Sequence, residues 1–511
     1  MEKTKTIAEY GDFQTPSHLA CEVCRLMAAQ GIKPASIIEP TCGLGRFLFA
    51  ALDAFPTVTK AIGLDINDGY IRRAGEVLGQ RPDALKVGLA EADFFTVDWG
   101  KVVGQLPQPI LVLGNLPWVT NAHLEVLGSR NLPKKSNFQG RVGFDAITGK
   151  ANFDISEWML IRLLESMSGR LGTLAMLCKS AVARKALFHG WKNNIFLRGS
   201  SIHRIDAALH FDAAVDAALL VTHFAPIAPE TTAKVYVHLN DIGPYTTIGM
   251  EGGQLFADID AFHRHKHLCG EEVLKWRSGI KHDCSKVMEF RREGERYRNG
   301  LGELVELEDN YIYPMLKSSG VAGGGGKDDI RRMLVTQRNV GDDTAEIERK
   351  APKTWAYLQR HSGILAKRGS SIYKKRPSFS VFGVGEYSFS PWKVAISGFY
   401  KKLVFLKIGL EKEKPIVLDD TSYFLSCRNA AEADYLCELL NSKTAQAFYA
   451  AFVFWDAKRP ITADLLRKLD LRRLARELGS EEMFCTLFGL QGPKKPSRAR
   501  RKIELSPQLW T

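Results

Sequence analysis

The chain has no apolar run near the ~18 residues that a membrane-spanning helix needs. Its first residues, Met1-Glu2-Lys3-Thr4-Lys5, carry no apolar stretch of the kind that directs secretion. The expectation is a cytoplasmic protein that touches no membrane. Cysteine is sparse and scattered: of nine, only Cys21 and Cys24 are closely spaced. A zinc site needs a second ligand pair at short spacing, and none stands nearby. That pair is expected as small core residues on a helix, with no metal site, in a reducing compartment. No internal repeat is visible. No Pro-Asp…Glu-x-Lys carboxylate set follows the motifs described below, and the first of them begins at Gly11, so a fused nuclease is not expected.

What is present is ordinary in bulk and uneven in detail. The chain has 511 residues, 45% hydrophobic and 25% charged, which suits a globular protein of two to four domains at a prior of ~150 residues each. Net charge is +13, from 70 basic and 57 acidic residues. Acids and bases nearly balance before residue 240, and the basic surplus accumulates after it. This predicts a near-neutral module followed by one that binds a polyanion.

In the first half, strand and helix patterns alternate. Thr15-Pro16-Ser17 opens a helix that runs through Leu19 to Met27. The stretch from Ala35 reads as a buried strand with Glu39 at its tip, then an acidic turn, a Gly43-Leu44-Gly45 corner and a new helix. Glycines at such a corner let backbone approach a ligand closely. A second strand, Ala61 to Leu64, ends in Asp65, 22 residues after Gly43. That is about the ~20 expected for a carboxylate that binds ribose hydroxyls. A third strand pattern closes on Asp93-Phe94, a pair suited to the edge and face of an adenine ring. These alternations imply a parallel, doubly wound sheet with ligands at the carboxyl ends of its strands.

The fourth strand, Ile110 to Leu113, runs into Gly114-Asn115-Leu116-Pro117-Trp118. Asn115 offers an amide at a strand end, Pro117 stiffens the turn, and Trp118 is read either as an exposed flat face or as an indole tucked into the core. Such a corner suits a planar group bearing an amino substituent.

In that order, Gly11 to Pro16, Glu39 to Phe47, Asp65, Asp93-Phe94 and Asn115 to Trp118 resemble the motifs of gamma-class, TaqI-like N6-adenine DNA methyltransferases of restriction–modification systems. The resemblance spans roughly the first 225 residues. It implies a Rossmann-like class I fold dependent on S-adenosylmethionine, followed by an α+β target recognition domain. By the same resemblance, Thr15, Glu39, Thr41 and the Gly43 backbone would hold the methionine end of S-adenosylmethionine. Asp65 would take the ribose hydroxyls, with Ile66 against the adenine ring, while Asp93 and Phe94 would meet that ring's amino group and face. Asn115 and the Leu116 carbonyl would accept from the target amino group. Trp118 and Phe211 would stack on a base swung out of the duplex. Leu116 stands where the family usually has proline; its carbonyl remains, and one rigid torsion is lost. Asn152 to Trp158 reads as a capped helix start that in the family flanks the substrate pocket.

Domains are expected at 1–228 (catalytic), 229–490 (target recognition) and 491–511 (a basic, disordered tail), with Ala225 to Glu230 as linker. In the second half, Lys374, Lys375 and Arg376 mix with hydroxyls and aromatics in a pattern suited to phosphate clamping. Lys134 and Lys135 form a second basic loop. Gly320 to Lys327 is expected as a mobile loop, and Glu432 to Phe454 as core helix. The expected partners are double-stranded DNA and a separately encoded endonuclease, with the chain a monomer. Two alternatives remain open: the same chemistry on RNA or a protein glutamine, and a non-catalytic DNA-binding relative.

Overall fold

A computed structural model of the chain describes residues 14–118, 154–326 and 330–491. Two compact units emerge: Met1–Phe262 with Ala451–Ala457, and His263–Ala450 with Lys458–Thr511.

The first unit is built on a ten-stranded sheet. Its first five strands, β1 (Ser36–Glu39), β2 (Lys60–Asp65), β3 (Val87–Glu91), β4 (Ile110–Asn115) and β5 (Gly172–Lys179), are joined by helices. These are α1 (Ser17–Ala29), leading into β1, then α2 (Arg46–Ala54), α3 (Asp68–Leu78), α4 (Trp99–Gly104) and α5 (Ile155–Met167). After β5 come α6 (Ser180–Lys192), β6 (Leu197–Ile205), α7 (Ala207–Phe211) and β7 (Ala217–Phe224). The sheet order is β3-β2-β1-β4-β5-β7-β6, continued by β8 (Thr232–Tyr236), β9 (Thr246–Glu251) and β10 (Gln254–Phe256). The β1 to β5 ladders are parallel, as the alternating pattern implies, but β7 runs antiparallel between β5 and β6.

The near-continuous apolar runs in β4 and β5 follow from burial on both faces. Ile110 and Val112 join one core with Trp99 of α4, Leu160 of α5 and Leu187 of α6. Leu111 and Leu113 join the other with Leu19 and Val23 of α1 and Phe47 of α2. Cys24 is buried on α1.

The unit extends past the expected break at residue 228. The proline-rich stretch 225–230 does not end the sheet: Arg198 holds Glu230 at 2.7 Å, and the Glu230 amide donates to the Leu197 carbonyl at 2.9 Å. This delivers the chain to β8, which pairs parallel with β6. Further on, Phe262 stacks on Phe256 with ring centroids 3.9 Å apart. The late segment Ala451–Ala457 returns to this unit, where Asp456 accepts from Arg184 at 2.5 Å and Phe454 lies 4.6 Å beneath that guanidinium.

The second unit holds a six-stranded sheet, Glu289–Glu293 among its strands, and a four-stranded sheet centred on Trp392–Ser397 and Ser422–Cys427. Helices Ala430–Leu440 and Lys443–Ala450 occupy the stretch read as core helix. The start of the glycine-rich segment differs from expectation, while Gly323 and Gly324 form a turn and Lys327 lies outside the described residues. Ser318–Ala322 is a helix with Gly320 and Val321 buried, because Val321 packs with Leu316, Ala395 and Phe424.

Candidate active site

The carboxyl ends of β1, β2 and β4 and the segment after β3 open into one pocket of roughly 910 Å3, counting its solvent-open mouth. Thr15, Glu39, Thr41, Gly43, Asp65, Ile66, Phe94, Asn115, Leu116 and Pro117, all singled out in the sequence, line it. Residues from positions 15 to 117 meet there because parallel strands end on the same edge.

The glycine corner is held from β2. Asp65 Oδ2 accepts from the Gly43 amide at 2.8 Å, and Oδ1 accepts from the Asn67 amide at 2.9 Å. Gly43 and Gly45 have φ of +51° and +76°, which side chains rarely adopt. A Cβ on Gly43 would lie 3.1 Å from the Gln14 side-chain nitrogen, a tight contact that Gln14 would have to relieve by a small shift. Arg46 Nη1 donates to the Thr15 carbonyl at 2.8 Å, tying the N-terminal segment to the same corner.

Glu39 is buried at the tip of β1 and accepts from the Leu48 amide at 2.8 Å. Burial raises its pKa well above the ordinary carboxylate value, and the nearby charge of Asp65 pushes it the same way. A cation bound beside Glu39 and Asp65 would draw Glu39 toward its ionised form, so this wall, with one guanidinium from Arg46, suits a cationic ligand. The other end is apolar, with Ile66, Ala92, Phe94 and Phe95. Phe94 is buried, its ring centroid 4.7 Å from that of Trp99. These features fit S-adenosylmethionine, whose ammonium and sulfonium are cationic and whose adenine offers flat aromatic faces.

Asp93 is not among the lining residues; its Oδ1 accepts from the Phe95 amide at 2.9 Å, shaping the turn that presents Phe94. The Asn115 corner is pinned on both sides: Thr41 Oγ1 donates to the Asn115 carbonyl at 3.0 Å, and the Leu116 amide donates to the Leu177 carbonyl at 3.3 Å.

Of the two readings of Trp118, the structure shows the indole tucked into the core. Trp118 is only 6% exposed and lies with the α1–α2 core, its ring edge-on to Phe211 at 4.9 Å. The sequence pattern places the indole at a strand end but says nothing of which side it falls on. Phe211 sits at the end of α7, partly buried against the same core. Asp154 caps α5 through the Ser156 amide at 3.1 Å, as the helix-start reading expected. Lys134 and Lys135 lie outside the described residues, as do Gly11 to Phe13, Asn152-Phe153 and the basic tail. Lys374, Lys375 and Arg376 are exposed in the second unit, where Lys375 has φ +60° and Arg376 lies 5.8 Å from the Phe382 ring.

The sequence reading assigned no role to Gln14, Tyr70, Met159 or Lys179. The first three line the pocket. Lys179 ends β5 and donates to the Trp118 carbonyl at 3.1 Å and to Asp154 Oδ2 at 2.5 Å. Its position as the last residue of a parallel strand was the available signal.

Strand order β3-β2-β1-β4-β5-β7-β6, with β7 alone reversed within that set, and a glycine corner braced by a β2 carboxylate define a class I S-adenosylmethionine-dependent methyltransferase. No family model matches the chain. It is 46% identical over 480 residues to the type II methyltransferase M.NspV of a Nostoc strain, an alignment that covers 93% of this chain and 98% of that relative. The chain belongs to the type II methyltransferases. Among solved structures it is similar to the type IIL restriction–modification enzyme MmeI in complex with DNA, at 11% identity and TM-score 0.45 over 94% of this chain and 73% of that one. The M protein of the type I restriction enzyme EcoKI is similar at 14% identity and TM-score 0.30, over 44% and 48%. At such scores these two likenesses bear no weight in the assignment. Among the described residues, no helix is long and apolar enough to cross a membrane.

Proposed function

We propose that the chain is the modification enzyme of a restriction–modification system and methylates the exocyclic N6 of an adenine flipped out of double-stranded DNA, in the manner of TaqI-like gamma-class enzymes. The observation that carries the proposal is that Asn115 and Leu116 line the same pocket as Asp65 and Gly43. A target amino group at the corner therefore sits beside the cofactor site.

An aromatic amino nitrogen is a poor nucleophile because its lone pair is delocalised into the ring. The Asn115 side-chain oxygen and the Leu116 carbonyl are two acceptors for its two N–H groups, and accepting both favours a pyramidal nitrogen with an available lone pair. The effect is one of preorganised dipoles and alignment, so no strong base is needed. S-adenosylmethionine, when bound, supplies an electrophilic methyl group. Thr15, Glu39, Thr41 and Gly43 would hold its methionine end, and Asp65 its ribose. Ile66 and Phe94 would hold its adenine, with Asp93 shaping the turn that presents Phe94 and, by the resemblance, meeting the ring's amino group. By the resemblance, Trp118 and Phe211 would wall the flipped base, which requires the indole to turn out of the core contact it makes with Phe211 here. The exposed Lys374-Lys375-Arg376 run would bind phosphates. The enzyme would work as a monomer alongside a separately encoded endonuclease.

The test is methyl incorporation from labelled S-adenosylmethionine into DNA, RNA and protein in parallel, followed by mass analysis of the nucleosides. N6-methyl-2′-deoxyadenosine from DNA alone is expected, and Asn115→Ala should lower kcat about 10²- to 10³-fold while the donor still binds. Label in RNA or protein instead, or an undiminished Asn115→Ala, would overturn the reading.

A further inference from the structure

Lys179 is half-buried at the carboxyl end of β5, two residues beyond Leu177, the partner of Asn115 in the β4–β5 ladder. Its ammonium donates in two directions: to the Trp118 main-chain oxygen at 3.1 Å and to Asp154 Oδ2 at 2.5 Å. Asp154 is itself fixed, because its other oxygen accepts from the Ser156 amide and from the Ser156 hydroxyl at the start of α5. One charged group thus joins the end of β5, the start of α5 and the backbone just past β4.

An ion pair this enclosed is a poor source of stability, since an apolar pair of similar volume often serves as well or better. Its geometry has a more specific consequence. The Asn115–Trp118 corner is bracketed, with the Thr41 hydroxyl on the Asn115 carbonyl at one end and the Lys179 ammonium on the Trp118 carbonyl at the other. Between these two points, Pro117 fixes one torsion and Leu116 brings no ring constraint of its own. The Leu116 amide is held by the Leu177 carbonyl and the following proline narrows the Leu116 torsions, so what is left to fix the aim of the Leu116 carbonyl is the chain beyond Pro117, which Lys179 holds at Trp118.

We propose that Lys179 is a positioning residue for methyl transfer, a clamp that keeps the two acceptor oxygens of the corner jointly aimed at the target amino group. Asp154 supplies the compensating charge and sets where the ammonium stands. The inference rests on the corner acting as proposed above. It concerns alignment and not donor binding, since Lys179 is not among the residues lining the cofactor pocket.

The experiment uses the full chain and the variants Lys179→Met, Lys179→Arg and Asp154→Asn, each shown by circular dichroism to be folded. Misaligned acceptors should slow Lys179→Met by about 10- to 100-fold in kcat, with donor Kd within about twofold of wild type. Lys179→Arg, whose guanidinium can reach both oxygens, should recover most of the rate. Independently of activity, backbone amides in a peptide spanning 110–118 should exchange with solvent faster in Lys179→Met and in Asp154→Asn than in wild type. A wild-type enzyme that leaves DNA unmethylated would refute the role of the corner, and the proposal with it. An active wild type matched by an equally fast Lys179→Met, or by one with unchanged exchange, refutes the clamp alone. If Lys179→Met does not fold, the same readouts on Asp154→Asn decide.

Discussion

Replacing Asp65 with alanine separates the two duties assigned to that carboxylate. In the structure it accepts two main-chain hydrogen bonds, from Gly43 at 2.8 Å and from Asn67 at 2.9 Å, and so bridges the glycine corner to the start of α3. Hydrogen bonds to a charged acceptor are each worth ~1.5–3 kcal/mol. Asp65 is only half-buried and water can reach the freed amides, so each bond should be discounted to about 1 kcal/mol, for a combined loss of about 2 kcal/mol. For a unit of this size that corresponds to a drop in Tm of roughly 4–8 °C. The ribose hydroxyls would lose their acceptor as well; at a similar ~1.5 kcal/mol each, donor affinity should fall about 100-fold. Calorimetric titration with S-adenosylmethionine and thermal unfolding measure the two effects on one preparation. Asp65→Asn, which keeps one acceptor oxygen, should fall between. An alanine variant that binds the donor within about threefold of wild type would show that Asp65 is only a strut of the corner, and an unchanged Tm as well would refute the bridging role.

Glu39 gives a pH signature. Its folded-state pKa is raised by burial, so its contribution to stability is complete below the ordinary carboxylate range and is lost as pH rises through the raised value; Glu39→Gln should flatten that decline in melts recorded across pH. Because a cationic donor favours the carboxylate, binding should release a proton, seen as a buffer-dependent heat in calorimetry, and Glu39→Gln should abolish that dependence. Gly63→Ala would place a Cβ 2.8 Å from Leu89 Cδ2, 3.1 Å from Leu48 Cδ2 and 3.2 Å from Cys42 Sγ, behind the glycine corner. It should cost about 1–3 kcal/mol in denaturant unfolding. Neutralising Lys374, Lys375 and Arg376 together should weaken DNA binding without regard to sequence. The slope of log K against log salt should become shallower by about 0.9 for each phosphate no longer neutralised, ~2.7 if each of the three engages one.

The cofactor side of the pocket was legible because it depends on rules that act locally. A strand that must end, a glycine that must turn and an acid at the next strand end are fixed within a few residues, and parallel topology brings them together. Gly43, Asp65 and Asn115 therefore line one pocket, as their spacing implied. Other features depend on partners distant in sequence. Trp118 turns inward because the α1–α2 core and Phe211, far along the chain, lie on that side. The sheet continues through β8 to β10 because Arg198 and Leu197 capture Glu230, which a proline-rich stretch does not reveal. The helix at Ser318–Ala322 forms despite its glycine because Val321 has a core to enter. Lys179 belongs to a strand that was legible, yet its importance lies in which two oxygens it meets, and no local pattern carries that.

The late return of Ala451–Ala457 to the first unit has a bearing on how such enzymes diversify. Because the polypeptide leaves that unit at Phe262, comes back for a short stretch and departs again at Lys458, the second unit is not a cassette bounded by one seam. A gene fusion that grafts a different second half after residue 262 would discard Phe454 and Asp456, leaving Arg184 without the ring and carboxylate it holds. Inherited changes in this lineage should therefore accumulate as point substitutions within an intact chain, or arrive by exchanges that carry the short returning segment along.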